Sequence, residues 1–293
     1  MKSITVFTAT YNRAYCLHIL YESLCRQTSD DFLWLIVDDG SVDDTKALVQ
    51  RWIDEAKIEI QYFYKENGGL HTGYNVAIAN TQTELCVCID SDDFMPDDAV
   101  EKILTHWSKF GSDAYAGIIG LDFYLNGKAT AGNLPDVKSV HIIEMKIKYK
   151  YGGDTKMVHR TELLKPHVPM PTLKGEKNFN PSYIFLKVDE QYPLLVLNEN
   201  LCFVDYQPDG MSNNIFNQYR NSPNSFAETR RLHMNRKNVP LWFIYKNAIH
   251  YISSCIFAKE KNWLSKSPKK ALTILAIVPG ILLNMYIRYK SNK

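Results

Sequence analysis

Leu85-Cys86-Val87-Cys88-Ile89-Asp90-Ser91-Asp92-Asp93 is the stretch whose reading decides the fold. Five apolar residues have the length of a buried strand, and the run stops at three carboxylates within four residues. Upstream the same grammar repeats. Residues 3–9 read as a strand, 13–27 as a helix with Leu17, Leu20, Tyr21 and Leu24 on one face, and Phe32 to Val37 as a second strand. Asp43 to Ala56 reads as a helix with Ser41 or Asp43 as N-cap. Ile58 to Tyr64 is a third strand, and residues 70–80 follow as helix after Gly68-Gly69. Pro96 then opens a helix over Asp97 to Phe110. Four strand–helix alternations predict an α/β fold, a mostly parallel sheet with helices on both faces.

After residue 113 the pattern loosens. Tyr115 to Leu125 reads as one or two strands, 126–153 as irregular, 154–164 and 183–190 as helix or turn-helix, and Leu194 to Val204 as a returning strand. The expected division is a domain over 1–225, split into halves 1–110 and 111–225, and a basic helical tail over 226–293.

The 293 residues are 45% hydrophobic and 23% charged, an ordinary globular balance. The net charge of +2 hides an uneven distribution. From Phe226 onward thirteen Lys/Arg face only Glu228 and Glu260, a net of +11, which leaves −9 on the first 225 residues. That asymmetry predicts an anionic partner for the tail, with no nucleic-acid role. The six cysteines show neither a disulfide framework nor zinc-ligand spacing and are expected to be reduced. Met1-Lys2-Ser3 runs straight into a strand, so a cytoplasmic chain is expected.

Ligands of open parallel sheets bind at the carboxyl ends of the strands. Here those ends read Thr10-Tyr11-Asn12-Arg13, Asp38-Asp39-Gly40-Ser41, Glu66-Asn67-Gly68-Gly69 and Asp90-Ser91-Asp92-Asp93. One acidic cluster after a strand is an ordinary helix cap; four polar ends on one rim are not. Crowded carboxylates call for a cation, and hard oxygen donors suit Mg2+ or Mn2+. Such an ion polarises a departing phosphate. Tyr11, Asp38 and Asp39 suit a base and ribose. A Gly-x-Gly-x-x-Gly fingerprint and a Gly-Lys-Ser/Thr loop are both missing, which disfavours a dinucleotide site or a P-loop.

At these residues the sequence resembles the family 2 glycosyltransferases of the GT-A fold. The match runs through Val6-Phe7-Thr8-Ala9-Thr10-Tyr11-Asn12-Arg13, Ile36-Val37-Asp38-Asp39-Gly40-Ser41-Val42-Asp43-Asp44-Thr45, Glu66-Asn67-Gly68-Gly69 and Ile89-Asp90-Ser91-Asp92-Asp93. The resemblance implies a nucleotide-sugar donor, usually UDP-linked, and transfer with inversion to a hydroxyl of a glycan or lipid-linked glycan. It places Thr10, Tyr11, Asn12 and Arg13 in the nucleotide pocket, with Asp38 and Asp39 on uracil and ribose. Asn67 and Gly68 would border the uridine, Asp90 and Ser91 the ribose, and Asp93 would help at the metal or orient the donor sugar. Asp92 would hold the metal, and Asp209 stands where the family often has a third, histidine ligand. Inversion needs one general base. The candidates are Glu176, followed by Lys177 where an acidic pair is usual, and Asp154 after Gly152-Gly153. His71 is either a group at the nucleotide rim or a surface histidine at a helix start, and His159-Arg160 either a contact to diphosphate or acceptor or an ordinary surface pair.

In the tail, residues 271–287 carry no charge, Pro279-Gly280 interrupts them, and lysines flank both sides. This fits a helix lying in a membrane interface at the inner face of the cytoplasmic membrane better than a clean span. Packing on the catalytic domain, or in a homodimer, is the alternative. Two rival functions stand beside the main reading. One is a non-catalytic nucleotide-sugar or glycan binder. The other is a sugar nucleotidyltransferase, which Thr8-Ala9-Thr10-Tyr11-Asn12-Arg13 fits poorly because that class uses a Gly-rich loop.

Overall fold

The computed structural model describes residues 2–205 and 214–291. The chain divides into two compact units, Met1–Met170 with Ile184–Asp205, and Pro171–Tyr183 with Tyr206–Lys293. The first holds one eight-stranded sheet. Its first half alternates β1 (Ile4–Thr10), α1 (Leu17–Cys25), β2 (Phe32–Asp38), α2 (Thr45–Glu55), β3 (Ile60–Tyr64), α3 (Leu70–Asn80), β4 (Leu85–Cys88) and α4 (Ala99–Phe110). Its second half adds β5 (Gly117–Tyr124), β6 (Ser139–Val140), β7 (Thr155–Arg160) and β8 (Leu194–Val204). The order is β3-β2-β1-β4-β7-β5-β8-β6. β3, β2, β1 and β4 run parallel.

Two parts of the second half differ from the sequence reading. Residues 154–164 were expected to be helical, but 155–160 form β7, antiparallel between β4 and β5, and only Thr161–Leu164 is helix. A strand paired on both sides satisfies its backbone donors, and Val158 enters the core. Within the stretch read as irregular, Ser139–Val140 pairs with β8 and Ile142–Ile147 is a helix.

Aromatic rings pack one face of the parallel half. Trp34 is fully buried, Tyr21 and Trp52 stack with centroids 4.3 Å apart, and the Trp34 indole N–H donates to Thr8 Oγ1 at 3.1 Å. α1 and α2 are amphipathic, and each presents one of these rings to the sheet. All six cysteines are free thiols.

From residue 215 onward the second unit is helical, with Ile215–Asn221, Pro223–Asn235, Leu241–Ala258, Trp263–Lys266, Lys270–Leu275 and Ile277–Ser291, whereas residues 171–181 form turns and a short bridge between Leu173 and Glu176. Ala227, Met234, Ile244, Ala248, Tyr251, Ile252 and Cys255 form its core. Pro279 does not interrupt the last helix. It lies in the first turn, where its missing N–H costs nothing, and the break falls at Ala276.

Gly117 sits where β5 crosses β7 with φ +146°, and a Cβ there would lie 2.0 Å from the carbonyl oxygen of Val158. Gly117→Ala is expected to destabilise the first unit by about 2–3 kcal/mol, read as a lower urea midpoint for loss of the sheet signal.

Candidate active site

The carboxyl ends of β1 and β2 are clasped together. The Asn12 N–H donates to Ser41 Oγ at 2.8 Å, and the Val42 N–H donates back to Asn12 Oδ1 at 2.9 Å. Asn12 takes φ +53° to do this, a conformation that asparagine tolerates. Asp43 accepts from the N–H of Ala14 and of Thr45, so it ties the first loop to the start of α2.

Asp38 and Asp39 are 0% and 4% exposed. Asp38 accepts from the Ser41 N–H at 2.7 Å and the Tyr62 hydroxyl at 2.6 Å. Asp39 accepts from the N–H of Gly68 at 3.0 Å and of Gly69 at 2.8 Å, from Asn67 Nδ2 at 3.2 Å, from the Thr72 hydroxyl and from the Lys65 ammonium. Its own N–H donates to the Thr10 carbonyl at 2.8 Å. The two carboxylates read as nucleotide ligands thus hold three strand ends in place. Thr10 is buried, and Tyr11 is open on this rim at 47% exposure; Tyr15 and Tyr64 are exposed as well.

The acidic wall lies beside it. Asp90 is exposed, Ser91 and Asp93 are buried, and Asp92 is half-buried with Arg13 Nη1 3.9 Å from its carboxylate. Because β7 is antiparallel to both β4 and β5, its first residues share an edge with the ends of those two strands. That register brings Lys156 to Asp93 at 3.6 Å and to Asp122 at 3.8 Å. Phe94 and Phe203 stack at 5.0 Å and exchange backbone hydrogen bonds, which ties the acidic loop to β8.

Burial raises the pKa of Asp93 to about 7; Lys156 opposes the shift, and Asp90, Asp92 and Asp122 add to it. Burial likewise raises Asp122 to about 6 against Lys156, with Asp154 and Asp90 adding. For Lys156 burial works against the charge, but Asp122, Cys202, Asp93 and Asp90 outweigh it and hold its pKa well above the ordinary lysine value. Asp122 and Lys156 were missed in the sequence. The available signal was a charge inside an apolar run, at Ile118-Ile119-Gly120-Leu121-Asp122 and Lys156-Met157-Val158.

The other candidates fall in several places. Asp154 is exposed at the start of β7, close enough to Asp122 to raise its pKa. Glu176 belongs to the second unit, where its carboxylate accepts from the N–H of Asn224 and of Ser225, both at 2.9 Å, and from Asn224 Nδ2 at 2.7 Å. Those are first-turn donors of the helix Pro223–Asn235, so Glu176 acts there as a helix cap. Asp209 lies outside the described residues. His71 is not a surface residue: it is buried, and burial lowers its pKa. His159 and Arg160 are no surface pair either. Arg160 pairs with Leu85 at the start of β4, away from the acidic rim, and bonds Asp113 at 2.7 Å. His159 stacks on Phe185 at 4.5 Å, and burial lowers its pKa to about 3.

Among the described residues no three His, Cys, Asp or Glu side chains form a metal cage. The donor chemistry still suits a hard divalent cation, since Asp92 is part-exposed beside Asp90 and Asp93, and these oxygens are hard donors.

Asp93 and Asp122 make stability depend on pH. A carboxyl whose pKa is raised in the folded state stabilises fully below its unfolded value of 3.8, and that contribution is lost as pH climbs through about 6 and 7. Asp93→Asn should therefore gain stability relative to the parent chain between about pH 5 and about pH 8, by a few kcal/mol at most. Scanning calorimetry across that range checks it.

The chain is 35% identical over 98 residues to an uncharacterized glycosyltransferase of Rickettsia felis, covering 33% of this chain and 16% of that protein. It is 23% identical over 167 residues to the poly(ribitol-phosphate) beta-N-acetylglucosaminyltransferase TarS of Staphylococcus aureus, covering 56% of this chain and 29% of that one. The matched stretches thus span well under half of these relatives' own length. Among solved structures, S. aureus TarS 1–349 in complex with UDP-GlcNAc aligns with a TM-score of 0.63 at 18% identity, over 99% of this chain and 92% of that one. The mannosyltransferase PcManGT of Pyrobaculum calidifontis, in complex with GDP-Man and Mn2+, aligns with a TM-score of 0.58 at 16% identity, over 99% and 83%. These likenesses show the GT-A fold. Residues 5–163, more than half of the chain, match the profile of Glycosyl transferase family 2, and the chain belongs to that family.

Proposed function

We propose that the protein is an inverting glycosyltransferase that moves a sugar from a UDP-linked donor to a hydroxyl of a growing surface glycan. The observation that carries this reading is the rim itself. The ends of β1, β2, β4 and β5 and the start of β7 bring an open tyrosine, a half-open metal-type carboxylate and a buried acid–lysine cluster to one edge. The UDP-GlcNAc bound by a TarS structure of the same fold supports the donor class.

In this reading Tyr11 stacks on the uracil, and Thr10, Asn12, Asn67 and Gly68 shape the pocket around it. Asp38 and Asp39 hold the loops that face base and ribose, and Asp90 with Ser91 borders the ribose. Arg13 lies beside Asp92, where its guanidinium would meet the diphosphate. Asp92 would hold Mn2+ or Mg2+, and the bound ion would supply positive charge to the departing diphosphate. Asp93, steadied by Lys156, would orient the donor sugar.

Asp154 is the preferred general base. It is exposed on the acidic rim, whereas the Glu176 carboxylate is committed to three donors of a helix N-terminus. A base must present its carboxylate to the acceptor hydroxyl, and an exposed carboxylate on the rim is placed to do so.

Thermal shift with UDP-GlcNAc and Mn2+ tests the donor site, because a ligand that binds only the folded state raises its melting point. Asp92→Ala should lose the Mn2+-dependent part of that shift, together with turnover. Asp154→Asn should keep the shift and lower transfer by about 10²–10⁴. Glu176→Gln should keep transfer and weaken the second unit by about 1 kcal/mol. Loss of transfer in Glu176→Gln, with normal transfer in Asp154→Asn, would return the base to Glu176. UDP release that never depends on an acceptor would remove transfer to a glycan.

A further inference from the structure

We propose that the outer face of the helix Ile277–Ser291 docks this protein onto an anionic lipid bilayer. The helix is apolar on two sides. Gly280, Asn284 and Ile287 turn inward and are buried, and a Cβ on Gly280 would lie 2.5 Å from Ile252 Cγ2. On the other side Val278, Ile281, Leu282, Met285, Tyr286 and Tyr289 are exposed, four of them by more than half. At the helical repeat these six fall in an arc of roughly 140°. Ile274 and Leu275 of the preceding helix are exposed as well. Nothing charged occurs between Lys270 and Arg288. Water-facing surfaces rarely gather so many large apolar side chains.

Charge identifies what covers this face. Lys269 and Lys270 stand at one end of the stripe, with Arg288 and Lys290 at the other on its two edges. No acidic residue follows Glu260. A second copy of the chain meeting this face with its own would press the flanking lysines and arginines against their like, since no acidic residue lies in either stripe. A bilayer with anionic headgroups accepts both the apolar stripe and its basic frame, since long basic side chains reach the headgroups while their stems lie along apolar surface. Among the described residues no helix is long and apolar enough to cross a membrane, so this one lies in the plane of the interface.

The inference is independent of the catalytic reading, and its test needs no substrate. The full chain is sedimented with vesicles of phosphatidylcholine alone and of phosphatidylcholine with phosphatidylglycerol. Light scattering gives its mass without lipid. Binding to the phosphatidylglycerol vesicles should be at least about tenfold tighter than to phosphatidylcholine and should weaken with salt. Leu282→Glu should lose at least about tenfold of it with an unchanged melting temperature, because Leu282 is 60% exposed. Met285→Glu serves as the second variant should Leu282→Glu melt early. Lys269→Glu with Lys270→Glu should remove the preference for phosphatidylglycerol. Three results would overturn the proposal: no binding to anionic vesicles, equal binding by the glutamate variants, or a dimer that Leu282→Glu dissociates.

Discussion

Lys156 places one positive charge between two buried carboxylates, and the edge of the sheet depends on it. Asp93 comes from the loop after β4 and Asp122 from the end of β5. Without a cation between them, two acids at that depth would repel each other and lose their hydration together. β7 supplies the cation because it runs against both neighbours and delivers its first turnward residues to their last. Replacing the lysine by an apolar group would leave uncompensated charge, which is far costlier than the pair is worth.

A second set of bonds fixes the other wall. Asp39 gathers donors from the segment 65–72, and Asn12 and Ser41 interlock β1 with β2. Both walls use carboxylates, but in opposite ways. Asp39 is held by neutral N–H and hydroxyl donors and one ammonium, whereas the wall around Asp92 sets Asp90, Asp92, Asp93 and Asp122 against Arg13 and Lys156, a donor set that suits a cation.

The parallel half was legible in the sequence. Its strands are largely apolar runs of four to seven residues, each ended by a polar cluster, and the family resemblance rested on those ends. β7 was hidden because Thr155-Lys156-Met157-Val158-His159-Arg160 carries buried charges, whose partners Asp93, Asp122 and Asp113 lie 34 to 63 residues away in the chain. Local periodicity cannot register a pairing made at that distance. Glu176 shows the same limit. Its carboxylate meets the N–H groups of Asn224 and Ser225, and nothing near Lys174-Gly175-Glu176-Lys177 announces them. Pro279 misled for a simpler reason: a proline breaks a helix interior but starts a helix well, and only the position of Ala276 tells which applies.

The clasp between Asn12 and the Ser41-Val42 backbone has a consequence for how binding energy is spent. The loops around Tyr11 are already tied to each other before any nucleotide arrives, so the entropy of ordering them is lost during folding. Under the proposed reading, less of the energy gained from a nucleotide would then go into arranging the pocket. More of it would stay available to hold a donor sugar in the geometry from which it leaves. The rigidity of one small turn thereby shifts the division between affinity and rate, although the turn itself touches neither the sugar nor the acceptor in this scheme.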